Sequence, residues 1–293
     1  MKAIKAGVLE IAYFETGPMD GDPVVLLHGF PYDVHAYGDV AETLAAAGKR
    51  CLVPFLRGYG PTRFLSEQTM RSGEQAAVGA DLLAFLDAMK LEKALLAGYD
   101  WGGRAACIVA ALWPERVSGL VSCGGYSIQN IAKEHEPASP EAEHLLWYQY
   151  YLHGSRGRAG LTANRKEFCH LLWKMWSPTW EFSQEEFETT AAAFENDDFV
   201  DVVTHSYRHR FGLVEGDPAY QSMESRLATQ PKIIVPSLVM VGGADAVDPP
   251  AKDDPFAQHF TGPYRREVVE GVGHNVPQEA PERFADGILS RIP

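Results

Sequence analysis

The stretch Gly98-Tyr99-Asp100-Trp101-Gly102-Gly103 limits this chain more than any other. The apolar run Lys93–Ala97 leads into it, and Arg104–Leu112 follows with Ala-rich helical spacing. A strand that turns at once into a helix crowds Cβ atoms, and glycine, having none, relieves the crowding. The pattern is G-x-nucleophile-x-G, a nucleophile elbow, which usually carries Ser; here it carries Asp100. A free Asp has a pKa of about 3.9 and is ionised near neutral pH without help from a base. Such a carboxylate can attack an sp³ carbon and leave an alkyl ester. Attack on an ester or amide carbonyl would give an acid anhydride, a poor route. The elbow therefore favours epoxide opening or halide displacement over ester cleavage. The plainer alternative is a Gly-rich turn with a helix-capping Asp.

Around the elbow, strand patterns alternate with helix patterns. Val8–Phe14 reads as a strand near an edge, and Gly17–Pro23 as a turn. Val24–Leu27 is a continuous apolar run, as expected of a strand buried on both faces, and it ends in His28-Gly29-Phe30-Pro31. Val40–Ala47 reads as a helix, Arg50–Pro54 as a strand, and Arg57-Gly58-Tyr59-Gly60 as a tight loop. Gln75–Met89 has apolar residues close to the 3.6 period, and Val117–Ser122 is a further strand. This rhythm predicts an α/β fold with a mostly parallel sheet. From about Tyr126 to Pro231 the strand pattern gives way to aromatics and helix formers, such as Leu145–Tyr151 and Glu185–Phe194. The rhythm resumes with strands at Ser237–Val241 and Arg266–Val269, and helices at Ala251–Phe260 and Pro281–Ile292. The expected organisation is a core of residues 1–125 and 232–293, with residues 126–231 as a helical cap over the carboxyl end of the sheet, where active sites of open α/β sheets lie.

Composition narrows the function. The chain has 293 residues, 46% hydrophobic, with a formal net charge of -13 and no basic run, which speaks against a nucleic-acid or anionic membrane surface. No stretch approaches the roughly 20 apolar residues of a membrane span, and Met1–Lys5 does not open a long apolar leader. Cys51, Cys107, Cys123 and Cys169 lack CxxC spacing, and the apolar settings of the first three read as buried free thiols in a reducing compartment. A cytoplasmic protein acting on a small molecule, as monomer or homodimer, is expected. His205 and His209 have the i,i+4 spacing of zinc ligands on a helix. With no Glu or third ligand nearby in sequence, they read as a solvated helix face, and no metal or cofactor is expected.

Asp100, Asp245 and His274 occur in the chain order nucleophile, acid, histidine, and the last two each follow a strand in a Gly-containing loop. Asp248 is an alternative acid. His28 reads as a structural histidine. Together with HGFP at 28–31, RGYG at 57–60, PERV at 114–117 and GVGH at 271–274, the whole chain resembles the α/β-hydrolase superfamily. Within it, the resemblance is to the Asp-nucleophile branch of epoxide hydrolases and haloalkane or haloacetate dehalogenases. The branch commonly has an acid two positions before the RGYG Arg; here it is Phe55, so that loop must be held differently.

The resemblance implies roles for further residues. Phe30 and Trp101 would supply backbone N–H groups to an oxyanion hole. Tyr148, followed by Gln149, and Tyr207, followed by Arg208, match the two cap tyrosines with which epoxide hydrolases protonate the ring oxygen. Haloacetate dehalogenases have His-Trp at the first of these places, so Tyr148 separates the branches and Tyr207 does not. Gln149 and the Trp101 side chain would contact substrate. Arg104 would either hold a substrate carboxylate, as in haloacetate dehalogenases, or form an ion pair below the site. The leading expectation is an epoxide hydrolase. The rival is a dehalogenase using the same Asp, and a remoter one is a non-catalytic binder of small ligands.

Overall fold

The computed structural model describes residues 1–290. Among these, nine strands form one sheet: β1 (Lys2–Ala6), β2 (Leu9–Thr16), β3 (Pro23–Leu27), β4 (Arg50–Pro54), β5 (Arg63–Phe64), β6 (Ala94–Tyr99), β7 (Val117–Cys123), β8 (Ser237–Gly242) and β9 (Tyr264–Val269). Their spatial order is β1-β2-β4-β3-β6-β7-β8-β9, with β5 beside β2. From β4 to β9 every pairing is parallel, whereas β2 runs antiparallel to β1, β4 and β5. The strand read at Val8–Phe14 is therefore one place in from the edge. Lys2–Ala6, with Lys at both ends of an apolar pair, carried too weak an alternation to be read as the edge itself.

Helices α1 (Gly38–Ala46), α2 (Gln75–Ala88) and α3 (Asp100–Leu112) belong to the α/β rhythm. Ala105, Ala106 and Ala110 of α3 are fully buried, and these small residues let the helix lie close on β6 and β7. Between β7 and β8 come seven helices: α4 (Pro140–Leu145), α5 (Trp147–His153), α6 (Ser155–Ala163), α7 (Arg165–Trp176), α8 (Gln184–Ala191), α9 (Phe199–His209) and α10 (Gln221–Leu227). After β9 follow α11 (Val276–Glu279) and α12 (Pro281–Leu289), the latter packed on α1. The reading of a closing helix to Ile292 ends at a residue outside those described.

The helix expected at Ala251–Phe260 is not formed; a single 3-10 turn, Ala257–His259, stands there. Pro255 stands inside the segment, and a proline in a helix interior breaks the i→i−4 ladder. The Asp254 carboxylate also accepts from the N–H groups of Phe256 and Ala257, a turn that competes with helix. All four cysteines are buried and free. No helix among the described residues is long and apolar enough to cross a membrane.

Candidate active site

The elbow sits at the carboxyl end of β6, in the middle of the sheet. Asp100 opens α3 with φ +49°, a left-handed conformation that costs a non-glycine residue energy and often marks functional sites. Its Oδ1 accepts the Phe30 N–H at 2.8 Å. This contact requires glycine at 29, because a Cβ there would lie 2.4 Å from the Asp100 Cβ and 2.6 Å from its Oδ1. Burial disfavours the charged carboxylate, but His274, Arg104 and the Phe30 N–H together hold its pKa below the ordinary value.

His274 lies in the loop between β9 and α11. Its Nδ1 meets Asp245 Oδ2 at 2.8 Å, and its Nε2 faces Asp100 Oδ2 at 3.8 Å with no closer partner. The other oxygen of Asp245 accepts the N–H groups of Val247 and Asp248, each at 2.9 Å. Asp245, not Asp248, is thus the partner of His274. The Asp248 carboxyl is pushed up to about 6, by burial and then by Asp245. Burial opposes a charged imidazole, but the carboxylates of Asp245 and Asp100 outweigh it and raise the His274 pKa well above its usual value.

Two residues unread in the sequence support this histidine. Glu279 of α11 accepts the N–H groups of Gly273 at 2.6 Å and Asn275 at 3.0 Å. Ser177, just past α7, donates its hydroxyl to Glu279 at 2.6 Å and accepts the His274 N–H at 2.9 Å. Glu279 is local to the loop it holds, whereas Ser177 meets it only in the folded chain.

The HGFP loop is tied down by His28. Its Nε2 accepts the Leu56 N–H at 3.0 Å, leaving Nδ1 to donate to the Gly29 carbonyl at 3.1 Å. Burial depresses this imidazole to about 4, so it is neutral and structural. The RGYG loop, lacking an acid at 55, is held by α2: Arg57 donates to both oxygens of Asp81, at 2.6 and 2.7 Å, and to the Ser72 carbonyl at 2.7 Å.

Asp100, His274, Arg104, Tyr148, Gln149 and Arg210 line a cavity of about 320 Å³, small within the usual range for ligand sites. The Tyr148 hydroxyl accepts from Gln149 Nε2 at 3.0 Å, while Gln149 Oε1 accepts from Arg210 Nη1 at 3.2 Å. Arg210 therefore fixes the amide, and the amide leaves the Tyr148 proton free. In this arrangement Gln149 orients Tyr148. Tyr207 packs on Tyr148 with ring centroids 5.4 Å apart at 85°, and also on Phe30 and Trp101; its buried hydroxyl has no partner. Tyr207 and Trp101 are not among the residues lining the cavity. Burial lifts the Tyr148 phenol to about 12 and raises that of Tyr207 well above its usual value, so both are protonated at neutral pH. The Trp101 side chain is fully buried and its Nε1 is unpartnered. Arg104 Nε donates to the Ser127 carbonyl at 3.0 Å, not to a carboxylate. Burial and then Arg210 depress its guanidinium to about 10.

The reading of His205 and His209 as a solvated helix face is corrected. His205 Nδ1 accepts the Gly73 N–H at 3.1 Å. His209 Nε2 lies 3.6 Å from the buried Glu74 carboxylate, and Glu224 brings an oxygen into the same group within 4.8 Å. These acids are far away in sequence and reach His209 only through packing of α9 and α10 against the loop before α2.

The family profile of the alpha/beta hydrolase fold matches residues 22–281. The chain belongs to that family. Among solved structures, this alpha/beta hydrolase is similar to a protein of Klebsiella pneumoniae provisionally named an epoxide hydrolase, with 44% identity, a TM-score of 0.97, and coverage of 99% of this chain and 96% of that one. It is 24% identical to epoxide hydrolase A of Mycobacterium tuberculosis over 94% of this chain and 91% of that protein. A haloalkane dehalogenase of Mycobacterium marinum is 34% identical over 40% of this chain and 39% of its own length. The higher-identity curated matches span about two fifths of those relatives.

Proposed function

We propose that this alpha/beta hydrolase opens small epoxides to vicinal diols. The observation that carries the reading is the Tyr148 phenol, which lines the same cavity as Asp100 and accepts from Gln149, so that its proton is available; Tyr207, its hydroxyl unpartnered, packs on it from outside the cavity lining. Dehalogenation requires no such donors.

The chemistry follows from the charges. In the resting site Asp100 is an anion and His274 an imidazolium. Asp100 attacks the less hindered ring carbon, the C–O bond breaks, and the oxygen takes a proton from Tyr148, against which Tyr207 packs, a general-acid contribution of about 10²–10⁴-fold. The tyrosinate is reprotonated from His274. Ester formation removes the charge of Asp100, one of the two carboxylates that keep His274 protonated, so the imidazole is now fit to act as a base. It takes a proton from water, whose oxygen adds to the ester carbonyl. The N–H groups of Phe30 and Trp101 stabilise the oxyanion. Collapse releases the diol, with His274 returning the proton to the leaving oxygen. The proton of the resulting Asp100 acid then passes to His274 and restores the resting site.

A second reading has one observation in its favour. The orphan Nε1 of buried Trp101 is a donor that a leaving halide would satisfy, as in dehalogenation by the same Asp100. The deciding experiment is incubation of His274→Gln with reactive epoxides and, separately, with bromoalkanes, followed by mass spectrometry of Asp100 peptides. The epoxide reading expects a hydroxyalkyl adduct. An alkyl adduct from the bromoalkane alone would replace it with the second reading.

A further inference from the structure

Arg210 ends α9 and reaches the cavity from the cap side. Its guanidinium lies 4.5 Å from the Tyr207 ring centroid, and only Nη1 is engaged, with Gln149. Nε and Nη2 are buried without a partner. A guanidinium carries five donors in a flat fork that matches a carboxylate, and donors left unpaired in a buried site are unfavourable. Arg104 faces the same cavity from the core side, bound there to one carbonyl. Two cations thus share about 320 Å³. Of the acids on the same wall, Asp100 loses its charge when it is alkylated, and Asp248 stands beside Asp245 and His274.

We infer that Arg210, with Arg104 opposite, forms an anion subsite that selects substrates carrying a carboxylate beside the reactive ring. The inference rests on the epoxide reading above for the reacting group, but not for the anion. An anionic substrate supplies the charge that the pair lacks once Asp100 is esterified. The two arginines also offset the repulsion between a substrate carboxylate and the attacking Asp100. At about 30 Å³ per water-sized group the cavity holds roughly ten such groups, enough for a short epoxy acid and too few for a long lipid chain.

The test compares 4,5-epoxypentanoate with its methyl ester on the purified full chain. Wild type is expected to favour the acid by about tenfold or more in kcat/KM, and Arg210→Gln to reduce that ratio by about tenfold, the size of a lost charge-assisted hydrogen bond. A wild-type ratio near one overturns the inference. So does a loss in Arg210→Gln that falls equally on both substrates, which is the signature of Arg210 acting only through Gln149 and Tyr148. Arg104→Gln is the second variant should Arg210→Gln fail to fold. If neither epoxide turns over and His274→Gln gains no adduct, the epoxide reading falls and calorimetry with pentanoate judges the subsite by itself. Binding weakened about tenfold in either arginine variant sustains it, and no binding to wild type overturns it.

Discussion

Replacing Gly29 with Ala tests whether the HGFP loop exists to bring a backbone donor against Asp100, the proposed nucleophile. The new Cβ would stand 2.4 Å from the Asp100 Cβ and 2.6 Å from Oδ1. That carbon pair is about 1 Å inside the optimal separation of roughly 3.5 Å. Neither side can yield cheaply, because β3 and β6 pair directly below and α3 is packed on them. The strain is relieved by pushing the Asp100 carboxylate and the Phe30 N–H apart, by about 1 Å. A misplacement of that size costs about 10²-fold in rate, or about 2.7 kcal/mol of transition-state stabilisation. The assay is kcat for diol formation from a small epoxide, with thermal unfolding followed in parallel to establish that the variant is folded. A Gly29→Ala enzyme that is folded and works at a rate close to wild type would refute the reasoning, since the loop would then be free to move away from Asp100.

Further outcomes follow from the same geometry. Asp100→Asn should abolish diol formation while leaving the fold intact by circular dichroism. Tyr148→Phe should slow single-turnover ester formation by about 10²-fold or more and leave hydrolysis of a preformed ester nearly unaffected; stopped-flow on each step separates the two. Asp81→Asn leaves the buried Arg57 guanidinium half-paired, and urea unfolding should register a loss of about 3 kcal/mol, as for other broken buried pairs. The raised pKa of His274 makes a signed prediction about stability. Its folded value lies above the unfolded value of about 6.5, so its contribution is full below that pH and is lost as pH rises through the folded value. The melting temperature of wild type relative to His274→Gln should therefore fall on the alkaline side, and a flat difference would contradict the assignment.

The parts of the site that were legible in the sequence are those carried by strand-to-loop transitions. Asp100, His274 and Asp245 each follow an apolar strand within a few residues, so local spacing exposes them. Tyr148 and Tyr207 emerged only by resemblance, because an aromatic-rich helical stretch offers many tyrosines with equal claim. Arg210 and Ser177 were invisible for a different reason: each acts on a residue distant in sequence, Gln149 and His274, that only the folded chain places beside it. The same holds for Glu74 and Glu224 around His209. The missed edge strand β1 and the unformed helix at 251–260 reflect weak alternation in one case, and Pro255 with the Asp254 turn in the other.

Ser177 joins the helical segment between β7 and β8 to the histidine loop through two hydrogen bonds, to Glu279 and to the His274 amide. On the proposed mechanism, a swing of that segment wide enough to admit a bulkier molecule would also slacken the support under His274, so access and reactivity would oppose each other. Hydrogen exchange at the His274 amide reads out that opposition directly: it should quicken in Ser177→Ala, and enlarging the doorway by cap mutations should slow ester hydrolysis in proportion.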